Sequence, residues 1–125
     1  MRLLDGLLGH GSEADADKLA AKLKDVLLPG EQIAQGYKII RDYFVFTNRR
    51  MIIVDVQGWT GRKIDYLTIP YRAITSFSLE TAGTFDLDAD IKIWVSGQVA
   101  PITRTLRKGT DIGGIQRTLA QGVLG

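Results

Sequence analysis

The stretch Phe44-Val45-Phe46-Thr47-Asn48-Arg49-Arg50-Met51-Ile52-Ile53-Val54 decides how the rest of the chain is read. Two runs of β-branched and aromatic residues flank a short polar interruption, the composition of two strands joined by a tight turn. Thr47 and Asn48 can turn the chain by side-chain to backbone hydrogen bonds, and Asn tolerates left-handed geometry, so the flanking strands then pair in register. Arg49 and Arg50 offer an alternative role in binding an anion such as phosphate. Neighbouring strand residues point to opposite faces, however, so the two cations cannot close as one clamp, and the motif is assigned mainly to folding.

Working outward, the alternating pattern runs from Glu31 to about Arg107. It predicts strands over 32–41, 43–47, 50–56, 63–69, 75–81, 91–96 and 102–107, each rich in Ile, Val, Tyr, Phe and Thr. The separators are turn-like: Asn48-Arg49, the run from Gln57 to Arg62, Pro70-Tyr71-Arg72, Gly83, and Gly97 to Pro101. Short strands with tight connections favour an antiparallel sandwich or barrel, because parallel strands would need helical crossovers. Before the strands, Met1, Leu3, Leu4, Leu7 and Leu8 fall on one arc of a short amphipathic helix. A second helix is expected after Gly11, with Ser12 and Asp15 in the capping relation, Leu19, Leu23, Val26 and Leu27 at i, i+4, i+7 and i+8, and Pro29-Gly30 as its stop. After the strands, Thr110 or Asp111 caps a last helix with Ile112, Ile115, Leu119 and Val123 as its apolar stripe. Gly113, Gly114 and Gly122 each weaken that helix by roughly 1 kcal/mol relative to Ala, so docking must hold it.

The whole is 125 residues with 16 Lys plus Arg, 14 Asp plus Glu, one His and no Cys. That length supports one compact core without disulfides or a structural metal. The absence of Cys removes thiol nucleophiles and zinc-thiolate sites and makes a cytoplasmic location the expectation. An excess of two positive charges is too small to signal nucleic acid, and the longest purely apolar run, Met51 to Val54, is far short of a membrane span.

Seven strands followed by a closing helix is the element order of the pleckstrin homology (PH) fold, and the strand, Thr-Asn-x-Arg turn, strand signature at 44–54 resembles that of bacterial PH-like domains. The Leu-Leu-Asp-Gly-Leu-Leu-Gly core within 1–9, the stretch Glu80-Thr81-Ala82-Gly83-Thr84-Phe85-Asp86-Leu87-Asp88, and Lys92-Ile93-Trp94 look like one family of short, single-domain bacterial proteins of this kind. The resemblance implies a mainly β, PH-like seven-stranded antiparallel barrel or sandwich with a C-terminal capping helix, a helical segment over 1–29 and the PH-like domain over 30–125. It also implies a bacterial cytoplasmic setting and a tendency to form symmetric rings, and it brings no established activity.

Catalysis needs convergent titratable groups, and His10, the one imidazole, lies in a Gly-flanked linker. Gly9, Gly11 and Ala14 follow no strand and so fail as a dinucleotide fingerprint, and Gly58 to Lys63 lacks the gap and closing Ser or Thr of a phosphate loop. Asp86, Asp88 and Asp90 alternate as a calcium loop begins, but Ile91 stands where that loop needs Gly and Gly97 where it needs Glu. For lipid headgroups the turn between the first two strands carries Arg41 beside Asp42, a poor site for a multiply charged phosphate. The reading is therefore a non-enzymatic interaction or scaffold domain without a cofactor, which self-associates as a closed ring and takes a protein partner. Trp59, Arg62 and Lys63 at a turn, and the Leu3, Leu4, Leu7, Leu8 stripe, are the expected contact residues. Apolar residues on both faces of Met51, Ile52, Ile53, Val54 and of Ile91, Ile93, Trp94, Val95 are expected to leave a surplus face for a second subunit. The alternative is a peripheral membrane adaptor anchored by the N-terminal stripe.

Overall fold

Alternating side chains sort the strands into two sheets in the computed structural model, which describes residues 19–39, 42–83 and 87–125. Strands β1 (Ile33–Ile39), β2 (Asp42–Thr47), β3 (Arg50–Gln57) and β4 (Lys63–Pro70) form one antiparallel sheet in that order. A 3-10 turn over Tyr71–Ala73 leads into the second, made of β5 (Ile74–Thr81), β6 (Ala89–Val95) and β7 (Ile102–Leu106). A helix over Ile112–Leu124 follows.

The register across the deciding hairpin is Phe44 to Ile53, Val45 to Ile52 and Phe46 to Met51. Directly opposed residues share a face, so Phe44, Phe46, Met51 and Ile53 point one way and Val45 and Ile52 the other. The first set joins Ile74, Ile91, Ile93, Leu106 and the helix residues Ile112, Ile115 and Leu119 in the core between the sheets. Outside the four-stranded sheet, Tyr43, Val45, Ile52 and Val54 pack with Leu19 and Leu23, and Val26 and Leu27 close over them.

That second cluster corrects the expectation of a surplus apolar face. The outer side of β3 is covered by the chain's own residues 19–27, of which 19–23 are helical and 24–26 a turn. The β6 residues Ile91 and Ile93 are in the core and Val95 packs against it, so of these four apolar residues only Trp94 lies on the outer side of the strand, alongside Asp90 and Lys92. Spacing had mixed one outward residue into an inward row.

Two glycines of the last helix, Gly114 and Gly122, also find their reasons inside the chain. Asp111 caps the helix by accepting from the Gly114 amide at 3.0 Å, and a Cβ at 114 would lie 2.7 Å from the Asp111 Cγ. At 122 a Cβ would lie 2.7 Å from the Tyr71 Cδ1, so the ring packs flat on the helix only because residue 122 has no side chain.

Candidate functional site

The Thr-Asn-x-Arg turn is a joint between the two ends of the four-stranded sheet's wrapping. Arg50 donates from Nε to Glu31 Oε2 and from Nη2 to Glu31 Oε1, both at 2.8 Å. Its Nη1 reaches Thr68 Oγ1 at 2.8 Å and its Nη2 the Val26 carbonyl at 2.9 Å. Glu31 also accepts from Thr47 Oγ1 at 2.6 Å and from the Leu28 amide at 3.0 Å. The Thr47 hydroxyl accepts in turn from the amides of Arg49 and Arg50, each at 3.0 Å, which uses its one proton and both lone pairs. Asn48 exchanges two bonds with Gln32: its amide donates to the Gln32 carbonyl at 2.9 Å and its Oδ1 accepts from the Gln32 amide at 2.8 Å.

The charge follows the geometry. The Arg50 guanidinium beside it holds the Glu31 carboxyl down at about 2, against the opposing effect of burial, and the same contact raises Arg50. Arg50 is therefore spent on an internal carboxylate, which removes it as an anion ligand, while Arg49 remains exposed. Glu31 carried no signal in sequence reading, because its partner lies 19 residues away and only the fold brings them together.

Beside this joint a groove of about 300 Å³ runs between the β2–β3 turn and the C-terminal end of the helix, with Asn48, Tyr71, Thr118 and Gln121 among its walls. Its hydroxyls are engaged: Tyr71 donates to the Thr47 carbonyl at 2.7 Å, and Thr118 donates to the Gly114 carbonyl at 2.7 Å and lies 3.1 Å from the Tyr37 hydroxyl. Burial pushes the Tyr71 phenol up to about 12, far from the range of a general base at neutrality.

Trp59 stands fully exposed, at 104% relative accessibility, so it does not pack on Tyr66 or a neighbouring strand. Gly58 and Gly61, at φ 80 and 68, bend the β3–β4 connection in left-handed conformations, and Arg62 and Lys63 beside them are exposed. Of the alternating aspartates, Asp88 accepts from the Lys108 amide at 2.7 Å and Asp90 from the Thr105 hydroxyl at 2.9 Å. Both carboxylates thus tie down loop and strand, and among the described residues no group of three His, Cys, Asp or Glu is placed to hold a metal. Asp86, His10 and the stripe of Leu3, Leu4, Leu7 and Leu8 lie outside the described residues.

At the end of the sheet where β2 begins and β3 ends, Asp42 accepts from the Val56 amide at 3.0 Å and Asp55 lies 3.9 Å from the Arg104 guanidinium. Burial raises the Asp42 carboxyl, and the neighbouring Asp55 charge adds to that rise. Asp55 is in turn paired across the ladder with Asp65. No described helix is long and apolar enough to cross a membrane.

Comparison with known proteins places this architecture. An uncharacterized protein of Bacillus subtilis (strain 168), YjqA, is 44% identical over 121 residues, covering 96% of this chain and 97% of that one. The crystal structure of a pleckstrin homology domain from Shewanella amazonensis SB2B is 51% identical with a TM-score of 0.81, covering 94% of each chain. A pleckstrin-homology-domain protein of Shewanella loihica PV-4 is 52% identical with a TM-score of 0.74, over 86% of this chain and 92% of that one. Residues 2–123 match the family described as Bacterial PH domain, and with seven antiparallel strands in two sheets and a C-terminal helix the chain belongs to it.

Proposed function

We propose that the chain is a non-enzymatic scaffold domain that self-associates into a closed ring and takes a protein partner through the β3–β4 turn. The observation that carries this reading is Trp59: a fully exposed indole on a glycine-bent turn, with the exposed cations Arg62 and Lys63 beside it. Exposed aromatics are enriched where proteins meet, because one rigid side chain buries a large area for little conformational entropy. Self-association has a second support in the sheet edges. Among the described residues β1, β4, β5 and β7 each pair on one side only, and such edges invite a further strand or need a cover. The groove beside Tyr71 does not favour catalysis, since its hydroxyls serve the fold.

Light scattering after size exclusion, over a wide concentration range, tests the assembly: one discrete mass above the monomer is expected, and a monomer throughout overturns the ring. Trp59→Ala tests the contact, which is abandoned if both assembly mass and partner capture are unchanged.

A further inference from the structure

Residues 19–31 are joined to the rest of the domain differently from any strand. Their apolar side chains belong to a cluster that shares no buried residue with the core between the sheets. Phe44, Phe46, Met51 and Ile53 face away from them, so lifting the segment would leave that inner core intact. Leu19, Leu23, Val26 and Leu27 are the side chains that seat this segment on the sheet beneath it.

Among the described residues, the hydrogen bonds from this segment to the sheet converge at one end, while Lys22 lies over the Tyr43 ring, 6.0 Å from its centroid, at the other. The Val26 carbonyl, the Leu28 amide and the Glu31 carboxylate all meet in the Arg50 and Thr47 network. The Glu31 side chain has no exposed surface and that of Arg50 is 16% exposed, so breaking the pair without water reaching both groups strands a buried charge. A network of that kind is either whole or lost, and Pro29-Gly30, with Gly30 at φ 82, forms the bend between the anchored carboxylate and the apolar cover.

We propose that residues 19–31 are a latched strap. The Glu31–Arg50 pair is the latch, and the strap opens as one unit while both sheets and the C-terminal helix stay folded. Opening uncovers the apolar outer face of Tyr43, Val45, Ile52 and Val54, which the closed strap hides. The device makes exposure of that face conditional on a single buried ion pair. It rests on contacts within one chain and stands whether or not the chain forms a ring.

Native-state hydrogen exchange on the full-length protein, followed by mass spectrometry over increasing guanidinium, tests it. Amides of 24–31 are expected to exchange through an opening with a weaker denaturant dependence than those of β5–β7. In Glu31→Gln the strap amides speed up by roughly tenfold or more, while β5–β7 and the C-terminal helix change by less than about twofold. If the variant does not fold, the wild-type exchange decides alone. The proposal is overturned if strap and β5–β7 amides follow one common isotherm at every denaturant concentration, or if Glu31→Gln accelerates all segments equally.

Discussion

Gly122→Ala separates helix propensity from packing. In an isolated helix the change is favourable by up to about 1 kcal/mol. Here the added methyl would sit 2.7 Å from Tyr71 Cδ1 and 2.8 Å from its Cζ, well inside contact distance. Forcing such an overlap costs roughly 1–3 kcal/mol through displaced side chains. The ring cannot step aside freely, because its hydroxyl donates to the Thr47 carbonyl at 2.7 Å, a bond worth about 1 kcal/mol net. The balance is a loss of about 2 kcal/mol. Urea unfolding followed by circular dichroism should show the midpoint fall with an unchanged slope. In a Tyr71→Ala background the obstacle is gone and the same substitution should become neutral or stabilising, a reversal of sign that a double-mutant cycle reads directly. A Gly122→Ala protein as stable as the parent, or one whose loss persists without the Tyr71 ring, refutes the reasoning.

Three further outcomes follow from named contacts. Glu31 is held at about 2 against an ordinary 4.5, so its folded value lies below its unfolded one; the roughly 3 kcal/mol this represents is fully present above about pH 5 and drains away as pH falls toward 2. Unfolding midpoints between those limits should lose that acid slope in Glu31→Gln, and an unchanged slope assigns it elsewhere. For Asp42 the sign is opposite: its carboxyl is raised, so the folded state is penalised when the group is ionised and relieved as pH falls. Asp42→Asn keeps an oxygen for the Val56 amide and should leave neutral-pH stability unchanged or slightly higher, whereas Asp42→Ala should cost about 1–2 kcal/mol by stranding that donor; equal losses in the two would contradict this. Trp59→Ala should alter chemical stability by less than about 0.5 kcal/mol, since the ring touches no core, and a larger loss would reveal a structural role.

The strand order and the C-terminal helix were legible because they rest on local signals. The alternation through Phe44 to Val54 and the Asp111 cap are properties of neighbours in sequence. What escaped reading is what depends on distant partners. Glu31 gives no local sign of burial, and its meaning comes only from Arg50 and Thr47 closing on it. The same holds for Gly122, whose necessity lies in Tyr71. The two-faced apolarity of β3 was visible, but sequence cannot say whether its cover is a second chain or residues 19–27 of the same one. Thr47 and Asn48 are legible as turn-makers from their residue types, but the carboxylate that Thr47 holds is not, since it comes from 16 residues away.

The charge pattern around the β3–β4 end narrows what the exposed Trp59 can meet. Asp42, Asp55 and Asp65 occupy neighbouring strands at one level of the sheet, with Arg104 the cation that reaches Asp55. A multiply charged phosphate headgroup needs convergent donors, and here it would meet carboxylates first. Two residues further along the ladder Gln57 pairs with Lys63, and Arg62 lies beside it in the turn. These two cations sit next to the aspartate row, so at moderate ionic strength their fields largely offset one another within a Debye length of about 10 Å. Little long-range steering toward an anionic surface remains. On the reading proposed above, the indole would be the dominant contact at this end, its worth would lie in buried area, and a complementary pocket on a protein would suit it better than a charged membrane surface. Liposome co-sedimentation should accordingly show no dependence on anionic lipid that Trp59→Ala or Lys63→Ala removes, and a strong dependence of that kind would transfer the contact from protein to membrane.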